Sequence, residues 1–111
     1  MIRALVIILC GLVIVGFTLA ARAHQAPSGW QYDAYCCSNL DCAPIAAANV
    51  RTSPEGYVVT LGKGDHPLKT ETTTFTIPYA EAKPSPDGDY HACLWPTEFQ
   101  VHCFYAGSKA F

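Results

Sequence analysis

The chain has 111 residues, 14% of them charged and 50% hydrophobic, with a formal net charge of −2. A length of this order holds one domain, and the lack of any basic run argues against nucleic acid or an anionic membrane surface as partner. Much of the apolar excess lies in the first two dozen residues, so that segment is read separately from the rest.

Met1-Ile2-Arg3 is followed by a run from Ala4 to Ala21 without a charge, and then by Arg22-Ala23-His24. A charged start, an apolar middle and an A-x-A end at Ala21-Arg22-Ala23 together form a secretory signal, which assigns residues 1–23 to a signal peptide. The alternative is an uncleaved membrane anchor, since 18 apolar residues make a helix of about 27 Å, close to the thickness of a bilayer core. Cys10 does not mark a lipoprotein site, because Leu9 stands where a small residue is needed. Both readings place the remaining domain, 24–111, outside the cytoplasm: periplasmic or secreted, or anchored with the domain outward.

That domain has 88 residues, with five basic against nine acidic side chains, for a net charge of −4. A scaffold of this size buries too little surface to be secure without covalent help. Cys36, Cys37, Cys42, Cys93 and Cys103 are the disulfide candidates, in a compartment where disulfides persist. Two bridges and one further thiol can be arranged in about fifteen ways, among which spacing does not choose. A bridge from the Cys36/Cys37/Cys42 cluster to Cys93 or Cys103 closes a long loop and constrains the unfolded chain most, so at least one such bridge is expected.

In chain order, His24 to Tyr35 carries no periodicity, and Pro27 and Gly29 interrupt any helix, which predicts an irregular arm. The cysteine cluster follows as a turn. Ser53-Pro54-Glu55-Gly56 has turn residues where a β-turn favours them, so Val50–Thr52 should fold back on Tyr57–Leu61, with Tyr57, Val59 and Leu61 on one face. Gly62 to Pro67 reads as a flexible connection. Thr72 to Tyr79 alternates cleanly, with Thr73, Phe75, Ile77 and Tyr79 on one side of a half-buried strand. Pro84-Ser85-Pro86-Asp87-Gly88 is a turn, and Tyr90–Trp95 and Val101–Tyr105 form a final hairpin around Pro96–Gln100. A hairpin centred on Glu98 sets Cys93 opposite Cys103. The fold class is therefore mainly β, a small disulfide-stapled antiparallel sheet or set of hairpins with an irregular N-terminal arm, after a hydrophobic signal helix.

Cys36-Cys37-x4-Cys42 with Asp41 before the last cysteine, the Pro84 to Gly88 turn and His91-x-Cys93 give a pattern that resembles small signal-bearing bacterial secreted or periplasmic proteins of unknown function. The resemblance spans nearly all of the domain and implies export and a compact fold, with no activity, ligand or partner attached.

No catalytic residue is assigned. Ser28, Ser38, Ser53, Ser85 and Ser108 lie outside any G-x-S-x-G context, and Asp87 and Asp89 flank a turn glycine as solvated turn residues do, as does Asp65 beside His66. Three chemical readings stand beside the bland one. Cleavage after Ala23 leaves His24 as the N-terminus, and its amine and imidazole with His91 or His102 would suit copper. His91-x-Cys93 and His102-Cys103 offer nitrogen and sulfur ligands for zinc, although strand alternation sends His102 and Cys103 to opposite faces. Cys36-Cys37 as a vicinal pair would support thiol redox chemistry, without the C-x-x-C of the usual redox motif. The leading expectation is a non-enzymatic exported domain without cofactor, in a binding or envelope-associated structural role. Trp30, Tyr32, Tyr35, Trp95 and Phe99 would form an aromatic surface for a protein or glycan partner.

Overall fold

A computed structural model of the chain describes residues 25–37 and 41–107. Strands β1 (Cys42–Ile45), β2 (Val50–Ser53), β3 (Gly56–Leu61), β4 (Thr73–Ile77), β5 (Ala82–Pro84), β6 (Tyr90–Leu94) and β7 (Val101–Ala106) form two sheets, ordered β1-β6-β7-β5 and β2-β3-β4. The signal assignment at residues 1–23 and the candidate ligand His24 lie outside the described residues, and among those described no helix is long and apolar enough to cross a membrane.

Both expected hairpins are present. Val50–Ser53 pairs with Gly56–Leu61 around the Pro54-Glu55 turn, and β6 pairs with β7 in a register that sets Cys93 against Cys103. Gly56 is required where it stands: its φ is +146°, and a β-carbon there would sit 2.1 Å from the Ile77 carbonyl oxygen. The β4 strand ends at Ile77, because Pro78 supplies no N–H to the ladder, and Tyr79 leaves the alternation for a short 3-10 turn, its hydroxyl donating to the Ser53 carbonyl at 2.6 Å. Two strands escape the sequence pattern. β1 is too short and small-residued to show alternation, and β5 runs parallel to β7, so the four-stranded sheet is mixed and not purely antiparallel. A three-residue strand held by its neighbour leaves almost no periodic trace. The borders of this sheet each carry a proline, Pro44 in β1 and Pro84 in β5.

The four-stranded sheet is the middle layer of three. On one face Ile45, Ala92 and Phe104 meet Tyr57, Val59, Leu61 and Ile77 from the other sheet. Full burial of a Val or Leu side chain is worth roughly 1.5–3 kcal/mol, and Val59 and Leu61 have no exposed surface. Tyr90 stacks on Phe104, and Tyr57 packs against both and against Tyr79. On the opposite face Cys42, Cys93, Cys103 and Tyr105 are covered by Ala26, Tyr32, Cys36 and Cys37 from the arm, with Trp30 lying over them.

Loop 62–72 is not the flexible connection its glycines imply. His66 is buried, its Nε2–H donating to the Ala92 carbonyl at 3.0 Å while Nδ1 accepts the Leu68 amide at 3.1 Å. Burial pushes the His66 pKa down, against the pull of its bond to Ala92. Lys69, with a side chain that is 0% exposed, donates to Thr73 Oγ1 and the Glu98 carbonyl and pairs with the Glu98 carboxylate at 3.4 Å. Its ammonium also lies 4.8 Å from the centre of the Phe99 ring. Glu98 in turn accepts the Thr70 and Glu71 amides and the Thr70 hydroxyl. The Thr70 amide, followed by the other donors, lowers its pKa to about 2. This clamp ties the tip of the β6–β7 hairpin to the loop before β4.

Candidate functional site

The arm is ordered by its own turns before it meets the sheet. Ala26 N–H bonds the Trp30 carbonyl and Gly29 N–H the Ala26 carbonyl, with Gly29 at φ +103°. Gln25 and Gln31 form a bridge, and further on Cys36 and Cys37 both donate their amides to the Asp33 carbonyl.

Asp87 is the hub that locks this arm down. Its carboxylate, 13% exposed, accepts Ser28 Oγ at 2.7 Å, Trp30 Nε1 at 2.9 Å, Ser85 Oγ at 2.7 Å, the Asp89 amide at 2.9 Å and His91 Nε2 at 3.0 Å. Burial works to raise its pKa, but these donors outweigh it and hold the carboxyl well below the usual carboxylate range. The expectation of a solvated turn residue is thereby corrected for Asp87, while Asp89 is exposed as expected. Turn chemistry is legible in Pro84 to Gly88, but nothing in those residues signals that arm residues nearly sixty positions away converge on Asp87.

From Asp87 the network runs inward. The carboxylate can only accept, so His91 Nε2 carries a proton, and His91 Nδ1 lies 2.7 Å from the Tyr32 hydroxyl. Burial, then the nearby Cys37 and Asp87, push the Tyr32 pKa upward, so the phenol keeps its proton. Beside it Tyr105 donates to Asp33 Oδ2 at 2.7 Å and accepts the Asp33 amide. Burial, then the bond to the Asp33 carboxylate, raise the Tyr105 pKa to about 12. An Asp–His–Tyr chain of this kind has the polarity of a catalytic relay, but Tyr32 is only 3% exposed and Trp30 packs edge-on over both Tyr32 and His91. What the network does here is satisfy buried polar groups and fix the arm.

Two disulfides complete the attachment, Cys36–Cys103 and Cys42–Cys93, with sequence separations of 67 and 51. Both join the N-terminal cluster to the last hairpin. Cys42 and Cys93 are register partners on β1 and β6. The vicinal pair is not bridged to itself, and Cys93 and Cys103 are held as disulfide sulfurs, which do not offer the thiolates of the zinc reading. The buried Cys37 thiol stands outside both bridges and donates to Asp41 Oδ1 at 3.3 Å.

The expected aromatic surface divides. Trp30 and Tyr32 turn inward, because the Asp87 carboxylate and His91 give their polar tips partners beneath the arm; Tyr32 is corrected from surface to buried and Trp30 to half-buried. Tyr35, Trp95 and Phe99 remain 78%, 53% and 50% exposed. Tyr35 and Trp95 flank His102, at ring-centre distances of 4.7 and 5.6 Å, and His102 Nε2–H donates to the Tyr35 carbonyl at 2.9 Å. With Asp41 these three side chains line a depression of about 300 Å³. Among the described residues each lining residue is within two positions of a bridged cysteine: Tyr35 beside Cys36, Asp41 beside Cys42, Trp95 two after Cys93, and His102 beside Cys103. The two disulfides thus fix the backbone next to these residues.

His91 and His102 are not brought together. His91 lies opposite Tyr105, three residues along β7 from His102, or about 10 Å at the rise of a strand. No group of three or more His, Cys, Asp or Glu side chains with metal-holding geometry occurs among the described residues.

No protein-family model matches the chain, and no curated protein or solved structure matches it either.

Proposed function

We propose that this protein is an exported binding module whose contact site is the depression formed by Tyr35, Trp95, His102 and Asp41, with Phe99 at the hairpin tip as a further exposed aromatic. The observation that carries this reading is that the four lining residues among those described each stand within two positions of a bridged cysteine, so that the backbone presenting the exposed aromatic side chains is fixed and loses little entropy on binding. Rigid aromatic anchors are what recognition sites use, and a monomer gains nothing in stability by exposing a tryptophan. Two long-range disulfides agree with an oxidising, extracytoplasmic compartment, and cleavage after Ala23 would deliver the domain there.

Two measurements test the proposal. The intact mass of protein recovered from outside the cytoplasm should correspond to a chain beginning at His24 with two disulfides; a mass including Met1 would favour the anchored form. Amide and indole NMR spectra of the oxidised protein should show perturbation at the Trp95 indole N–H and His102 when ligand panels are added, with the Trp30 indole unmoved. Perturbation confined to Trp30 and His91, or none with saccharides, ammonium compounds and envelope peptides alike, would contradict it.

A further inference from the structure

We infer that a second copy of this chain docks on the outer border of β4, the two β4 strands pairing antiparallel about a two-fold axis at Phe75, with each Phe75 ring entering a groove of the other copy.

The border is open. Within its sheet β4 is paired on one side, to β3, and among the described residues no backbone bond reaches its other side. The other three borders of the two sheets carry a proline or an arginine, whereas Thr73–Ile77 has neither. A row of unpaired backbone groups is a template for another strand.

A groove lies beside this border. Phe75 and Ile77 line it from the three-stranded sheet and Val101 and Phe104 from the four-stranded one, around a hollow of about 180 Å³. β5 pairs with β7 from Phe104 onward, so residues 101–103 of β7 have no strand beside them on the β5 side. An apolar cavity of about 150 Å³ takes up a benzene ring, and the hollow therefore has room for one phenyl group.

The strand is complementary to itself. A two-fold axis at Phe75 sets Phe75 opposite Phe75, Thr73 opposite Ile77 and Thr74 opposite Thr76. Opposed side chains in a sheet point to the same face. Phe75 packs toward the core shared with the four-stranded sheet, so the second copy's Phe75 points the same way, into the groove. On the outward face threonine meets threonine. Beyond the strand the same axis places Glu71 opposite Tyr79, so no charge meets its like. In a domain with nine acidic against five basic side chains, a border on which two copies meet without facing charges favours a second copy as the occupant. Five paired residues and two rings bury less than the roughly 1,200 Å² of a standard interface, so the dimer is weak, half-formed at on the order of 0.1–1 mM.

The test is sedimentation equilibrium of oxidised protein from about 10 μM to about 1 mM, with amide NMR over the same range. The mass should rise from monomer toward dimer and stop there, since a two-fold contact closes. Amides of β4 should shift with concentration, and mixed-label samples should show the Phe75 ring of one copy against Val101 of the other. Thr74 and Thr76 are exposed, so charges placed there leave the core intact. The double variant Thr74→Lys with Thr76→Lys sets lysine opposite lysine and should weaken association about tenfold. Thr74→Glu with Thr76→Glu should do the same, and an equimolar mixture of the two variants should pair again as a heterodimer. A monomer throughout the range would overturn the inference, whether or not an added extended peptide shifts β4. So would association that survives the lysine variant, or a mixture that fails to pair while both variants keep native spectra.

Discussion

The two faces of the four-stranded sheet are buried by different means. Toward the three-stranded sheet the contacts are those of an ordinary core, in which Val59, Leu61, Ile77 and Phe104 interdigitate. Toward the arm the layer consists of two disulfides, a buried histidine and a set of tyrosines whose hydroxyls all find partners, centred on one carboxylate with five donor groups. An irregular segment has no repeating apolar face with which to bury itself. It stays in place only by specific polar and covalent attachment, and the aromatic depression is built at the end of that attachment.

Reduction is expected to have the largest effect and to fall on the arm side first. Each bridge closes a loop long enough for the chain-entropy model to give roughly 4 kcal/mol, comparable to the whole stability of a domain this small. Thermal melts with and without a phosphine reductant should show a drop of tens of degrees. Trp95 and His102 resonances should lose dispersion before those of Val59 and Leu61. By contrast Leu61→Ala, costing about 3 kcal/mol through its cavity, should lower the melting temperature and leave the depression intact in the survivors. If reduction and Leu61→Ala disturbed the same residues in the same order, the two layers would be one cooperative unit.

Asp87→Ala comes next, at about 2–3 kcal/mol, because it strands the Trp30 indole, two hydroxyls and a buried imidazole at once. The sign of its pH dependence follows from the depressed carboxyl. The unfolded chain takes up a proton near pH 3.9 and the folded one only at lower pH, so this contribution is complete above about pH 4 and is lost as the pH falls below it. Denaturant melts from pH 6 to 2 should show the wild type losing stability more steeply at the acid end than Asp87→Ala. Parallel curves would show that the hub is of little account.

The smallest effect belongs to His66 and sharpens the picture on the apolar side. Its folded pKa is lowered, so its neutral form supports the fold above the unfolded value of about 6.5, and that support is lost as the pH falls through and below it. Protonation of Nδ1 would also break the bond from the Leu68 amide. A shallow decline in stability between pH 7 and 5 should flatten in His66→Gln, and an unchanged slope would place the titration elsewhere.

What could be read from the residues follows the same division. The hairpins at Val50–Leu61 and Tyr90–Tyr105 were legible because alternation and turn chemistry are local, and the small size of the 24–111 domain, read as exported, called for a long-range bridge. The register of Cys93 against Cys103 also followed from the loop length alone. Asp87, His66 and Lys69 were not legible, since a charged or polar residue beside a glycine or proline reads as solvated, and only distant partners make it otherwise. The candidate site was half visible: Tyr35, Trp95 and Phe99 stood out as aromatics, but Trp30 and Tyr32 looked the same in sequence, and only Asp87 and His91 separate them. Asp41 gave no sign of its place in the lining, because its position depends on which partner Cys42 takes.

The prolines at the borders of the four-stranded sheet bear on how these molecules behave when crowded. A strand from a neighbouring copy that tried to add to β1 or β5 would meet a backbone missing a donor at Pro44 or Pro84, a common defence against edge-to-edge aggregation. In the three-stranded sheet, β2 has Arg51 at its border, while Thr73–Ile77 in β4 has neither a proline nor a charge. Of the four sheet borders, that of β4 is therefore the one carrying neither of these two devices.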